Sequence, residues 1–145
     1  KFIWIISLFT GLAVLLYTYA SLGEIVNYAS DAGEAGSVTR ETFFYIGLGV
    51  LVLFNFTFYA ISRNMHLPHA PLKQALINWQ LSFAACLNFF FIVTILFLML
   101  YNSGEMFNYN NFGYLVYISL ASIIGWIIAL PVVILKNRST SSAIK

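Results

Sequence analysis

The side chains best suited to metal chemistry are two histidines three residues apart, His66 and His69. A metal site needs further ligands, but the charged neighbours are Lys and Arg, and the single cysteine, Cys86, lies within an apolar run. One cysteine also excludes an intramolecular disulfide and a CxxC motif. We therefore expect no metal, no cofactor and no catalytic site, and we interpret the histidines as loop residues close to anionic lipid headgroups.

Polar side chains within otherwise apolar runs form a second group that could bind a ligand. Its members are Gln74, Asn78, Ser82, Asn88 and Asn55. The first three are spaced four residues apart and share one face of a helix, and Asn88 lies to one side of that face. Polar groups at membrane depth hydrogen-bond between helices or mark a functional site. Interhelical hydrogen bonding is the expected role, and the alternative is a substrate or quinone site that also includes Gln80.

Four apolar runs position these residues. They cover roughly 2–20, 42–61, 77–101 and 112–135, and none contains Asp, Glu, Lys, Arg or His. Each is close to the ~20 residues that cross a hydrocarbon layer of ~30 Å, and backbone amides in lipid must be satisfied within their own segment. With 61% hydrophobic and 8% charged residues, residues 1–145 are predicted to form a single all-α membrane domain, a four-transmembrane-helix bundle.

Charged residues lie between the runs and divide by sign. All five acidic residues fall in a predicted external loop, 21–41, and a predicted external turn, 102–111. Six of the seven basic residues fall before the first run, in the turn 62–76 and in the tail 136–145. The positive-inside rule places that basic side in the cytoplasm. We therefore expect a multi-pass protein of a bacterial inner membrane, with both termini cytoplasmic (N-in/C-in).

The external ends of the first and third runs show an internal repeat. Residues 19–28 read Tyr-Ala-Ser-Leu-Gly-Glu-Ile-Val-Asn-Tyr, and residues 101–109 read Tyr-Asn-Ser-Gly-Glu-Met-Phe-Asn-Tyr. This match predicts a tandem duplication of a helical hairpin, with chance similarity in a chain rich in Tyr, Asn and Phe as the alternative. Glu24 and Glu105 occupy matching positions. They are candidate contacts for an external partner, or else solvated loop acids.

The expected function is that of a non-catalytic accessory or structural subunit of a larger inner-membrane complex. The expected partners are the lipid bilayer and other membrane subunits, and no basic run is long enough to indicate nucleic acid binding. Two alternatives remain. One is a small oligomeric transporter or channel that uses the face of Gln74, Asn78 and Asn88, and the other is a quinone- or lipid-interacting membrane subunit.

Overall fold

The computed structural model describes residues 1–29, 35–104 and 109–142. Its elements are α1 (Phe2–Ser21), β1 (Ile25–Ala29), β2 (Ala35–Thr39), α2 (Arg40–Asn64), α3 (Ala70–Tyr101) and α4 (Tyr109–Ser142). Each helix contains a span that is long and apolar enough to cross a membrane. The prediction of four helices long and apolar enough to span a membrane is therefore confirmed.

Three helices extend beyond the apolar runs that predicted them, and α4 covers 109–142 rather than 112–135. α3 begins at Ala70 rather than near 77, with Pro71 in its first turn, where a helix makes no use of the missing N–H. α2 continues to Asn64, and Arg63 in its last turn complements the partial negative charge of a helix C-terminus. The connection shortens to 65–69 as a result. At ~1.5 Å per residue α3 is about 48 Å long, so it must tilt or project from the bilayer.

The segment predicted as an external loop contains a β-hairpin, so the all-α prediction is incomplete. β1 and β2 pair antiparallel, with Val26 opposite Val38 and Tyr28 opposite Gly36. A Cβ at Gly36 would lie 2.5 Å from the Tyr28 ring, so a larger residue there would require the exposed Tyr28 side chain to move. Val26 is 1% exposed and anchors one face of the hairpin. Thr39 then caps α2 by accepting a hydrogen bond from the Thr42 backbone N–H at 3.2 Å.

α1 and α2 pack through two reciprocal leucine–glycine contacts. The position of a Cβ at Gly47 is 2.9 Å from Leu15 Cδ1, and that of a Cβ at Gly11 is 3.3 Å from Leu51 Cδ1. Each leucine therefore rests on a glycine of the facing helix, and both leucines are at most 1% exposed. Phe91 of α3 lies within 4 Å of both glycine positions. Since lipid tails are as apolar as Leu, this close packing is a main source of helix association in a membrane.

α3 is the central helix, because it packs against α1, α2 and α4. Within the described residues α4 makes extensive contact with α3 alone, so the helices form a three-helix core with α4 on its flank rather than a closed four-helix bundle. Only 6% of the described α4 span is buried, against 17% to 22% in the other three spans. Most of the α4 surface is therefore open to whatever surrounds the protein.

Gly47 and Gly49 provide a matched test of the α1–α2 packing. A Gly47→Ala substitution must displace the fully buried Leu15, and overpacking of this kind costs about 1–3 kcal/mol. Gly49 is exposed and has no atom within 4 Å of an added Cβ, so Gly49→Ala should leave stability almost unchanged. Thermal unfolding in mild detergent measures both. Equal stabilities of the two variants would contradict the described interface.

Candidate functional site

A network of polar side chains lies at the meeting point of α1, α2 and α3. Asn55 of α2 and Asn88 of α3 pair through their amides, with Asn55 Nδ2 donating to Asn88 Oδ1 at 2.8 Å and Asn88 Nδ2 donating to Asn55 Oδ1 at 3.2 Å. Two α1 side chains complete the network. Trp4 Nε1 donates to Asn55 Oδ1 at 2.8 Å, and Asn88 Nδ2 donates to Ser7 Oγ at 2.8 Å.

This network satisfies its own members. Asn55 Nδ2 also donates to the Leu51 backbone carbonyl, so the Asn55 amide uses both protons and both acceptor positions. Asn55 is 3% exposed and Asn88 is fully buried. A buried amide without partners would be costly, and this arrangement removes that cost. The geometry supports the predicted interhelical hydrogen bonding for these two residues and leaves little capacity for a ligand.

The remaining predicted polar residues lie on a different side of α3. Ser82 Oγ accepts a hydrogen bond from Trp126 Nε1 of α4 at 3.0 Å, while Trp79 Nε1 donates to the Trp126 carbonyl at 2.9 Å. Gln74 Nε2 donates to Asn78 Oδ1 at 3.0 Å along the same face. The structure therefore divides the predicted polar face in two. Six residues separate Ser82 from Asn88, which corresponds to about 240° of helix rotation.

An open groove of about 600 Å³ follows the α3–α4 contact. Asn78, Trp79 and Ser82 line it from α3. Trp126 and Lys136 line it from α4. Because it contains Asn78 and Ser82 of the predicted polar face, it is the described groove that best fits the alternative of a ligand-binding face.

Gln80 belongs to neither polar group. It is 6% exposed, and its Oε1 atom accepts no hydrogen bond from the described residues. It does not line the α3–α4 groove. The structure therefore does not bring Gln80 together with Asn78 and Asn88 into the substrate or quinone site that the sequence offered as an alternative.

The β-hairpin is fixed to the end of α3 by Asn102, a residue that sequence reasoning missed. Asn102 Oδ1 accepts from the Asn27 backbone N–H at 2.8 Å, and Asn102 Nδ2 donates to the Asn27 carbonyl at 3.0 Å. On the other side of the hairpin, Arg40 donates to the Leu22 carbonyl at 3.2 Å and lies 4.8 Å from the Tyr19 ring centroid. An asparagine directly after a long apolar run was the available signal, because such residues often cap helix ends.

The predicted external acids do not form a described pair. Glu24 is exposed, and its backbone carbonyl accepts a hydrogen bond from the Arg40 N–H at 3.0 Å. Glu105 lies outside the described residues. Their predicted role as partner contacts therefore stays a prediction.

Both histidines lie in the short 65–69 connection. His66 Nδ1 is 2.6 Å from the Asn64 carbonyl, and His69 precedes the first turn of α3. The described residues contain no group of three or more His, Cys, Asp or Glu side chains that could hold a metal ion.

The chain matches no protein-family model, no curated protein and no solved structure.

The Asn55–Asn88 pair can be measured by a double-mutant cycle. Each single substitution, Asn55→Leu or Asn88→Leu, leaves the other amide buried and partly unpaired, whereas the double variant removes both. We expect a coupling of about 1 kcal/mol in the free energy of unfolding in detergent. Thr57→Val is the control, because Thr57 is exposed and donates only to a carbonyl of its own helix. Additive effects would show that the amides do not interact.

Asn102→Ala should release the hairpin without unfolding the core. Loss of the hydrogen bond to the Asn27 N–H should speed hydrogen exchange at that amide about tenfold, which corresponds to a net bond of ~1.4 kcal/mol. Ser21→Ala is the control at the same end of the helices, since Ser21 Oγ donates only within α1. Unchanged exchange at Asn27 in the Asn102 variant would contradict the docking role.

Proposed function

We propose that this protein is a non-catalytic accessory subunit that associates with helices of other membrane proteins through α4. The observation that supports this most directly is the asymmetry of α4, which packs on one helix and leaves the rest of its surface exposed. The core of α1, α2 and α3, in contrast, satisfies the buried amides of Asn55 and Asn88 internally. The described part of the chain therefore has an internally bonded amide pair in its core and one helix available for assembly.

The outer surface of α4 suits a second helix. Ala121 and Gly125 are exposed and four residues apart, which is the small-xxx-small spacing that allows two helix backbones to approach closely. An added Cβ at Gly125 meets no atom within 4 Å, so nothing described in this chain uses that space. Tyr117, Ile124 and Ile128 flank the pair and are between 56% and 75% exposed. These larger side chains would pack around a helix seated on the small residues.

The proposed orientation places the basic end in the cytoplasm of a bacterial cell. Lys1, Arg63 and Lys73 lie at the end where α2 joins α3, which we call the basic end, and Glu24 and Glu41 lie at the opposite, hairpin end. The positive-inside rule supports cytoplasmic termini in an inner membrane. This topology is part of the proposal.

Tandem duplication of a helical hairpin also stays a proposal, supported by the matching sequences at 19–28 and 101–109. The two helical hairpins, α1–α2 and α3–α4, are held together by different contacts. Leucine–glycine packing joins α1 to α2, whereas indole hydrogen bonds join α3 to α4. A shared origin would therefore require that the interfaces diverged while the external ends kept their pattern.

Photo-cross-linking in native membranes tests the subunit proposal. A photoreactive residue at Tyr117 or Ile124 of α4 should form discrete cross-linked protein bands that mass spectrometry can identify. The same residue at Leu53 or Phe56, which are exposed on α2, should react mainly with lipid. A Gly125→Leu substitution should abolish the α4 cross-links while the chain remains folded, because it fills the space that the second helix needs.

The result that contradicts the proposal is equally specific. If α4 positions react only with lipid and the tagged protein purifies in mild detergent as a monomer, it is not a subunit of a stable complex. Cross-links between identical chains would instead favour a homo-oligomer, the state expected of a small transporter that uses the Asn78 face.

A further inference from the structure

A second groove opens at the basic end between α1, α2 and α3. It has a volume of about 330 Å³, and none of its lining residues belongs to α4. Its lining includes two cations, other polar side chains and apolar side chains. The lining residues are Lys1, Trp4, Ile5, Tyr59, Ser62, Arg63, Ile77 and Leu81.

The two cations in this groove, Lys1 and Arg63, have no carboxylate partner in the described residues. The ion pair found among the described residues joins Arg40 to Glu41, and it lies at the hairpin end of the helices rather than in this groove. Arg63 Nη1 donates to Tyr59 Oη at 3.3 Å, a hydrogen bond that holds the guanidinium without neutralising its charge. An anion from outside the described chain would therefore meet two positive charges in one concave site.

The apolar wall of the groove is rigid. The Trp4 and Tyr59 rings stack with their centroids 5.9 Å apart and their planes within 2°. Trp4 is held further by its hydrogen bond to Asn55, so the indole that lines the groove is part of the buried network. Ile5, Ile77 and Leu81 continue the wall. A ligand that fits this site would have an anionic head and a hydrocarbon body.

We propose that this groove binds an anionic phospholipid, with the phosphate between Lys1 and Arg63 and an acyl chain along Ile5, Ile77 and Leu81. A guanidinium binds phosphate oxygens bidentately. Basic pockets between transmembrane helices on the cytoplasmic side are recognised sites for anionic lipid headgroups. The α3–α4 groove is less suited to a phosphate, because its described lining contains a single cation, Lys136. The proposed lipid site does not depend on the subunit role of α4.

Native mass spectrometry of the full chain in detergent, titrated with phosphatidylglycerol, tests this proposal. The wild type should bind one lipid in preference to phosphatidylcholine. Arg63→Gln and Lys1→Gln should each weaken binding about fivefold, the factor that corresponds to ~1 kcal/mol per basic residue near a membrane surface. Arg63→Lys should weaken it less, because the charge remains while the bidentate geometry is lost.

Two controls separate this site from general attraction to a basic surface. Lys73→Gln removes a charge at the same end of the protein but outside the groove, and should change the affinity less than twofold. Lys136→Gln removes the cation of the other groove and should also have little effect. The melting temperature of Lys1→Gln in lipid-free detergent should equal that of the wild type, since Lys1 is exposed and in no described ion pair. Arg63→Lys keeps the positive charge in the last turn of α2 and is the reference for the stability of Arg63→Gln.

Four results would overturn the proposal. Equal binding of phosphatidylcholine would show that the headgroup charge is not recognised. Equal loss in Lys73→Gln and Arg63→Gln would assign the effect to general electrostatics, and a dominant loss in Lys136→Gln would move the site to the α3–α4 groove. Full competition by millimolar inorganic phosphate would show that the site takes the free anion and that the apolar wall plays no part.

Discussion

The amide pair of Asn55 and Asn88 constrains the arrangement of the first three helices. In a lipid bilayer the hydrophobic effect does not hold one apolar helix against another, so specificity must come from packing and hydrogen bonds. Two amides at membrane depth can be satisfied only in a register that places them face to face, and here that register also brings Trp4 and Ser7 within reach. The leucine–glycine contacts of α1 and α2 are compatible with the same register. Directional bonds and close packing therefore favour one arrangement.

The four spans could be predicted because length and apolar composition are local properties of the chain. Helix ends were harder, since Pro71 is equally compatible with a turn and with the first turn of α3. The hairpin could not be predicted, because strands of five residues in a segment rich in Gly, Ala and Ser depend on a distant partner, Asn102, for their position. Its stability is a long-range property that no local pattern contains.

The hydrogen-bond partners of the polar residues likewise could not be predicted from local sequence. Their presence inside apolar runs predicted interhelical hydrogen bonds, and Asn55 and Asn88 make them. Which partners they would choose depended on the rotation of α3, and a spacing of six residues directs Ser82 to α4 and Asn88 to α1 and α2. The indoles of Trp4 and Trp126 act as hydrogen-bond donors to these groups, a role that their positions in the sequence do not specify.

Because α4 is the last helix in the chain, its flanking position affects the order in which the helices can assemble during synthesis. Domains form from the N-terminus during synthesis, so α1, α2 and α3 are available to one another before α4 has been made. Every residue of the amide network and of the leucine–glycine contacts belongs to those three helices. The core of α1, α2 and α3 can therefore assemble while α4 is still being synthesised. When α4 enters the bilayer it meets a finished surface on α3, and the rest of its own surface stays exposed.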